Sequence, residues 1–103
     1  MKRRPSTSAT DVDVLDELAS AFAALRSADE VRSFLEDLCT PAELEAMTDR
    51  WRVVPLLMEQ VPYREIHDRT AVSVTTIGRV ARTIETGAGG YAAALRRTRP
   101  RGA

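Results

Sequence analysis

Apolar residues recur at intervals of three and four along most of this chain, which is the period of amphipathic helices. Six such segments can be separated, and none of the chain forms a convincing strand. The pattern therefore predicts an all-α fold of six helices over residues 11–97. Residues 1–10 are expected to form a flexible N-terminal arm, and residues 98–103 a basic C-terminal tail.

The second and third helices have clear start signals, and the first is marked by its apolar repeat. The first is predicted over residues 11–26. Ser27 and Glu30 form a capping box that begins the second. Thr40 and Pro41 begin the third, because threonine caps a helix well and proline suits its first position. The three apolar stripes are Leu15, Leu18, Phe22 and Leu25; Val31, Phe34, Leu35 and Leu38; and Leu44, Met47, Trp51, Val54 and Met58.

Two breaking signals follow. Pro55 falls inside the third helix, which is predicted to run to about residue 60, and a kink is expected there. The Gly87–Gly90 run interrupts the chain near its end. A last short helix over residues 91–97 then presents Tyr91 and Leu95.

Residues 62–84 have the pattern of two short helices joined by a tight turn, as in a helix-turn-helix. The apolar spacing of the first helix breaks at residues 70–73. Ser73 is a good N-cap for the second helix, since its hydroxyl can accept a bond from a free backbone N–H. The residues expected to pack between the two helices are Ile66, Val72, Ile77 and Val80.

The outer face of the second helix has the side chains that DNA reading needs. The hydroxyl and methyl groups of Thr75 and Thr76 can contact bases, phosphates or a thymine methyl group. Arginines on both helices can meet phosphates. The predicted DNA-binding residues are Arg64, His67, Val74, Thr75, Thr76, Gly78, Arg79 and Arg82, with Arg69 as a further phosphate contact.

Two positions depart from the usual helix-turn-helix pattern. The turn residue is Ala71 where glycine is usual, and His67 stands where a small residue usually allows the second helix to cross. A plain helical hairpin, packed for stability alone, is therefore an alternative. So is an interaction module that reuses the motif to bind a protein partner. DNA binding would weaken steeply with salt as counterions are released, which distinguishes the readings.

The charge of the chain is unevenly distributed. The formal net charge is zero, but residues from 62 onward contain eight Lys/Arg and three Asp/Glu. A basic end on an acidic body still provides a local field that attracts phosphates. The single Cys39 allows no internal disulfide, which agrees with a reducing cytoplasm. No apolar run approaches the length of a membrane span.

Catalytic chemistry is not expected. His67 is the single histidine, and Glu65 and Asp68 beside it do not make a convincing metal shell. Cys39 and His67 have no identifiable orienting partner, so no nucleophilic arrangement can be built. We therefore predict no enzyme activity, no cofactor and no metal.

The apolar stripes exceed what one small core needs in a chain of 103 residues. The predicted solution is a homodimer that shares its core between two chains. Two recognition helices about one turn of DNA apart would then read a near-palindromic site in double-stranded DNA.

From about residue 12 to 97 the chain resembles the tryptophan-repressor superfamily, in its branch of repressor-related proteins of the YerC/YecD type. Three segments carry the resemblance: FLEDLCTPAELEAMTDRWRVVPLLM (34–58), YREI (63–66) and TTIGRVARTIETGAGGY (75–91). The resemblance implies an intertwined all-α homodimer whose two reading heads bind DNA. It also implies a sequence-specific transcriptional regulator, a repressor by analogy.

The resemblance further implies where a small-molecule effector would bind. In the tryptophan repressor two arginines hold the corepressor, and they correspond to Arg50 and Arg79, with Thr40 matching a nearby position. The glycine after the second arginine is replaced by Val80, whose branched side chain would crowd the space for an indole ring. We therefore expect a lost or altered effector site, and doubt that tryptophan binds.

Overall fold

The computed structural model describes the backbone of residues 8–98 and the side chains of residues 13–98. This part of the chain forms six helices and contains no strand, which confirms the predicted all-α class. The helices are α1 (Ser8–Ala24), α2 (Ala28–Leu38), α3 (Pro41–Met58), α4 (Tyr63–Thr70), α5 (Val74–Thr86) and α6 (Gly90–Thr98).

The chain divides into two compact units between Thr40 and Pro41. The first unit contains α1 and α2. Helix α1 begins at Ser8, so residues 8–10 are helical although the sequence assigned them to the arm. Residues 1–7 of the predicted arm and 99–103 of the predicted tail lie outside the described residues, and Thr98 is the last residue of α6.

Helix α2 begins at the predicted capping box. The Ser27 Oγ accepts a hydrogen bond from the Glu30 N–H (3.1 Å), and the Glu30 carboxylate accepts one from the Arg26 N–H (2.7 Å). The first bond satisfies a backbone donor that the first turn of a helix leaves free, and the second ties the residue before the cap to the same turn.

The described side chains of the first unit make an aromatic contact but include no deeply buried core. Phe22 of α1 and Phe34 of α2 pack edge to face with their ring centroids 5.0 Å apart. No described side chain in residues 13–40 is buried. Large apolar side chains remain exposed there: Val14, Leu15, Leu18 and Leu38.

The second unit contains α3 to α6. Helix α3 begins at Pro41 as predicted, but ends at Met58 rather than near residue 60. Gln60 adopts the left-handed conformation (φ 64°), the Gln60 N–H donates to the Leu57 carbonyl oxygen (2.9 Å), and the Val61 N–H donates to the Leu56 carbonyl oxygen (3.0 Å). This pair of bonds is a Schellman motif, which turns the chain out of α3 and toward α4.

The core of the second unit lies where α3 meets α4, α5 and α6. Its buried members are Val53, Val54, Ile66, Val72, Ile77, Val80 and Leu95. Trp51 of α3 and Tyr91 of α6 pack beside it with their ring centroids 6.5 Å apart.

Only part of the apolar stripe predicted for α3 is buried in the structure. Val54 is buried and Trp51 half-buried, but Met47 and Met58 are exposed and the sequence analysis missed Val53, which is fully buried. Successive helix residues lie about 100° apart, so the neighbours of α3 decide which side of a broad stripe is covered.

The Gly-rich break lies at the end of α5, as predicted. The Gly87 N–H donates to the Thr83 carbonyl oxygen (2.7 Å), and a Cβ at Gly87 would lie 2.6 Å from that same oxygen. Any side chain would thus clash with backbone, which explains glycine at this position. Among the described helices, none is long and apolar enough to span a bilayer.

Candidate nucleic-acid interface

Helices α4 and α5 are joined by the three residues 71–73 and pack against each other and against α3. Ile66, Val72, Ile77 and Val80, predicted to pack between the two helices, are all buried. Each helix therefore turns its apolar side inward, which leaves the polar side of α5 free. The two-helix geometry predicted for residues 62–84 is present.

The Thr70 hydroxyl organises the turn between these helices. Thr70 is buried, its Oγ1 donates to the Ile66 carbonyl oxygen (2.7 Å), and the same oxygen accepts from the Val72 N–H (3.1 Å). One hydroxyl thus satisfies a backbone acceptor and a buried backbone donor together. An unpaired buried donor would otherwise cost about 1–3 kcal/mol.

Ala71 and His67, the two unusual positions, also belong to this turn. Ala71 is in the left-handed region (φ 65°, ψ 7°) and its N–H donates to the His67 carbonyl oxygen (2.8 Å). The His67 Nδ1 lies 2.8 Å from the Val72 carbonyl oxygen. Because a carbonyl oxygen accepts only, His67 must carry a proton on Nδ1 and donate to it. Its Nε2 is not required by the turn.

Helix α5 begins at Val74 with the predicted cap. The Ser73 Oγ accepts from the Thr76 N–H (3.1 Å), and the Ser73 hydroxyl also lies 3.1 Å from Thr76 Oγ1. The Thr76 side chain is therefore engaged with the cap, whereas Thr75, beside it, is exposed.

The predicted DNA-binding residues all lie on α4 and α5. Gly78 and Thr76 are half-buried, and Gly78 lies beneath the ring of Tyr63, with an added Cβ 3.8 Å from the ring Cε2. The exposed members are Arg64, His67, Val74, Thr75, Arg79 and Arg82.

Two other arginines take part in holding α4. The Arg69 guanidinium forms an ion pair with Glu65 one turn earlier on the same helix. Arg52 of α3, which the sequence analysis missed, has its guanidinium 3.5 Å from the Thr70 carbonyl oxygen at the end of α4. A cation near the C-terminus of a helix is favourable because the free carbonyl groups carry negative partial charge there.

The residues of the predicted effector pocket lie on α3, on α5 and at the end of the first unit. Arg50 is half-buried on α3, Arg79 is exposed on α5, and Thr40 belongs to the first unit. A cavity of about 300 Å³ lies at the α5–α6 junction, and its lining includes Thr83 and Ile84 and residues 88–92 but neither arginine. Val80 is 1% exposed and packs within the core.

No metal site is evident in residues 13–98. The described side chains contain no group of three His, Cys, Asp or Glu residues that could hold an ion. Cys39 is half-buried at the end of α2.

Comparison with known proteins identifies the family. The Trp repressor protein family matches residues 13–99. The chain belongs to the Trp repressor family. The uncharacterised protein YerC of Bacillus subtilis is 34% identical over 85 residues, which are 82% of each chain.

Two solved structures have the same fold. A TrpR-like protein from Eubacterium eligens is 33% identical, with a TM-score of 0.76 over 82% of this chain and 88% of that one. A candidate Trp repressor from Staphylococcus aureus is 30% identical, with a TM-score of 0.77 over 89% of this chain and 94% of that one. The predicted Trp-repressor-like fold and YerC-type relationship are thus confirmed, and the Trp repressor family is a family of DNA-binding regulators.

The turn geometry makes a direct prediction for Thr70. Thr70→Val keeps the shape but leaves the Val72 N–H buried without an acceptor, so the free energy of unfolding should fall by about 1–3 kcal/mol. Thr70→Ser retains the hydroxyl and should lose clearly less. Urea unfolding followed by circular dichroism measures both. Equal losses in the two variants would contradict the role given to the hydroxyl.

Proposed function

We propose that this protein is a sequence-specific DNA-binding transcriptional regulator, acting as a repressor, and that α5 is its recognition helix. The observation that carries the proposal is the division of α5 into two faces. Ile77 and Val80 are buried on one face, while Val74, Thr75 and Arg79 are exposed on the other. A helix held in this way can lay its exposed N-terminal residues in the major groove.

The charges of the α4–α5 segment support this docking. Arg64 of α4 and Arg79 and Arg82 of α5 have exposed side chains, and none has an ion-pair partner among the described residues. Free guanidinium groups can pair with phosphates and release counterions. Arg69, being paired with Glu65, contributes less to such a field. The proposed contacts also include His67, through Nε2, and Thr76 and Gly78 near the base edges.

The first unit supports a homodimer. Its described side chains include no buried residue, and Leu15 is 64% exposed. Exposed apolar side chains on two amphipathic helices are stabilised when another surface covers them. We propose that a second copy of the chain covers them. The twofold pair would present its recognition helices to a near-palindromic site, with half-sites about 34 Å apart.

Selection of bound sequences from random duplex DNA tests the proposal. The expected product is a near-palindromic motif, and fluorescence anisotropy on it should show affinity that falls steeply with salt. Weak, sequence-blind binding would contradict the proposal and favour the alternative, a helical module that binds a protein partner.

Two substitutions distinguish base reading from phosphate contact. Thr75→Ala should reduce discrimination between the selected site and its base-pair variants, by about 1–3 kcal/mol where the hydroxyl reads a base. Arg64→Ala should weaken all duplexes about equally and reduce the salt slope by about one. Anisotropy titrations at several salt concentrations measure both effects. Equal and small effects of the two substitutions would argue against this docking.

Light scattering tests the dimer. We expect the mass of two chains for the native protein and a shift toward one chain for the double variant Leu15→Ser, Leu18→Ser, because polar side chains would weaken the apolar contact. Glu17→Ser, on the same exposed helix, is the matched control and should remain dimeric. A well-folded native monomer would rule out the shared core.

We also propose that the effector site is lost or altered relative to a tryptophan-binding repressor. Support comes from Val80, whose side chain is buried in the core where a glycine would leave space. Isothermal titration with L-tryptophan should show no binding in the micromolar range, and tryptophan should not change affinity for the selected DNA. Micromolar binding would overturn this proposal without affecting the DNA-binding one.

A further inference from the structure

We propose that Tyr63 reads DNA together with Val74, by packing against the methyl group of a thymine in the major groove. The inference rests on the proposed DNA-binding function and deepens it. It makes the first residue of α4 a specificity-determining residue.

The side chain of Tyr63 reaches from α4 to α5. Tyr63 begins α4, yet its ring Cε2 lies within contact distance of α5, 3.8 Å from where a Cβ of Gly78 would stand. The ring therefore bridges the two helices on the side of α5 that bears Gly78. Tyr63 remains 42% exposed, so part of the residue is available for contact.

Val74 lies on the same face of α5 as Gly78. It precedes Gly78 by four residues, so the two lie one above the other on the same face of α5. Side chains of a helix lean toward its N-terminus, so the space over Gly78 adjoins Val74. Val74 is 51% exposed. Tyr63 and Val74 thus form an apolar strip on the proposed reading face, with Gly78 as its floor.

The apolar character of the strip indicates which group of the DNA it would contact. The neighbouring exposed side chains on this face are polar or basic, namely Thr75, Arg79 and Arg82. The apolar group that base pairs present in the major groove is the C5 methyl of thymine. An aromatic ring edge and a branched aliphatic side chain are suited to cover such a methyl group. The strip therefore favours an A·T pair at one position of each half-site.

Gly78 has a defined role in this arrangement. An added Cβ would stand at ordinary contact distance from the Tyr63 ring, so alanine fits, but a longer side chain would occupy the space of the ring. A residue no larger than alanine at position 78 is therefore what lets the ring of α4 reach the face of α5.

The test replaces thymine by deoxyuridine, which removes the methyl group alone. In the duplex selected by the native protein, each thymine of one half-site is replaced in turn. We expect one position at which the affinity of the native protein falls about threefold to tenfold, the cost of uncovering a methyl group. Tyr63→Phe should keep this sensitivity, since the ring remains. Tyr63→Ser should bind the thymine and uracil duplexes almost equally.

The possible results distinguish failure of the proposed Tyr63–thymine contact from failure of the proposed DNA binding. Unchanged sensitivity in Tyr63→Ser, or its loss in Tyr63→Phe, would overturn the contact while leaving DNA binding intact. Failure of the native protein to select any sequence would overturn the proposed function and the contact together. Val74→Ala is an independent variant at an exposed site, and it should reduce sensitivity at the same thymine; full sensitivity would count against the strip.

Discussion

The inner faces of α4 and α5 meet α3 at Val53 and Val54, and the rest of the second unit depends on this apolar contact. The contact covers Ile66, Ile77 and Val80, which are almost completely buried. Burial on this scale fixes the rotation of α5 about its own axis, because turning the helix would expose branched aliphatic side chains. The exposed face of α5 is thus a consequence of the core.

The turn between α4 and α5 depends on polar contacts rather than on glycine. Thr70, His67 and Ala71 together satisfy the backbone groups that a three-residue connection leaves without helical partners. A left-handed alanine costs of the order of 1 kcal/mol more than glycine, and the hydrogen bonds around it offset that cost. Residues that look unfavourable for a helix-turn-helix by pattern are here the ones that hold it.

The exposed apolar side chains of the two units suit two different kinds of binding partner. In the first unit, Leu15 and Leu18 lie on amphipathic helices whose described side chains include none that is buried, and this exposure supports association with a second copy. In the second unit, Tyr63 and Val74 are exposed beside polar and basic residues, close to where DNA is proposed to bind. A broad apolar face suits a protein partner, whereas a narrow strip among polar side chains suits a methyl group in a polar groove.

Spacing and capping are local properties, so the amino-acid order was enough to predict the six helices, the caps at Ser27 and Ser73, the Gly-rich break and the four residues buried between α4 and α5. Tertiary packing, in contrast, places Val53 rather than Met47 or Met58 in the core, because periodicity identifies a stripe but not which edge of it a neighbour covers. It also decided the bond from His67 to Val72 and the position of Tyr63 over Gly78. Those contacts depend on how two helices cross, and that crossing is set by packing that no local pattern contains.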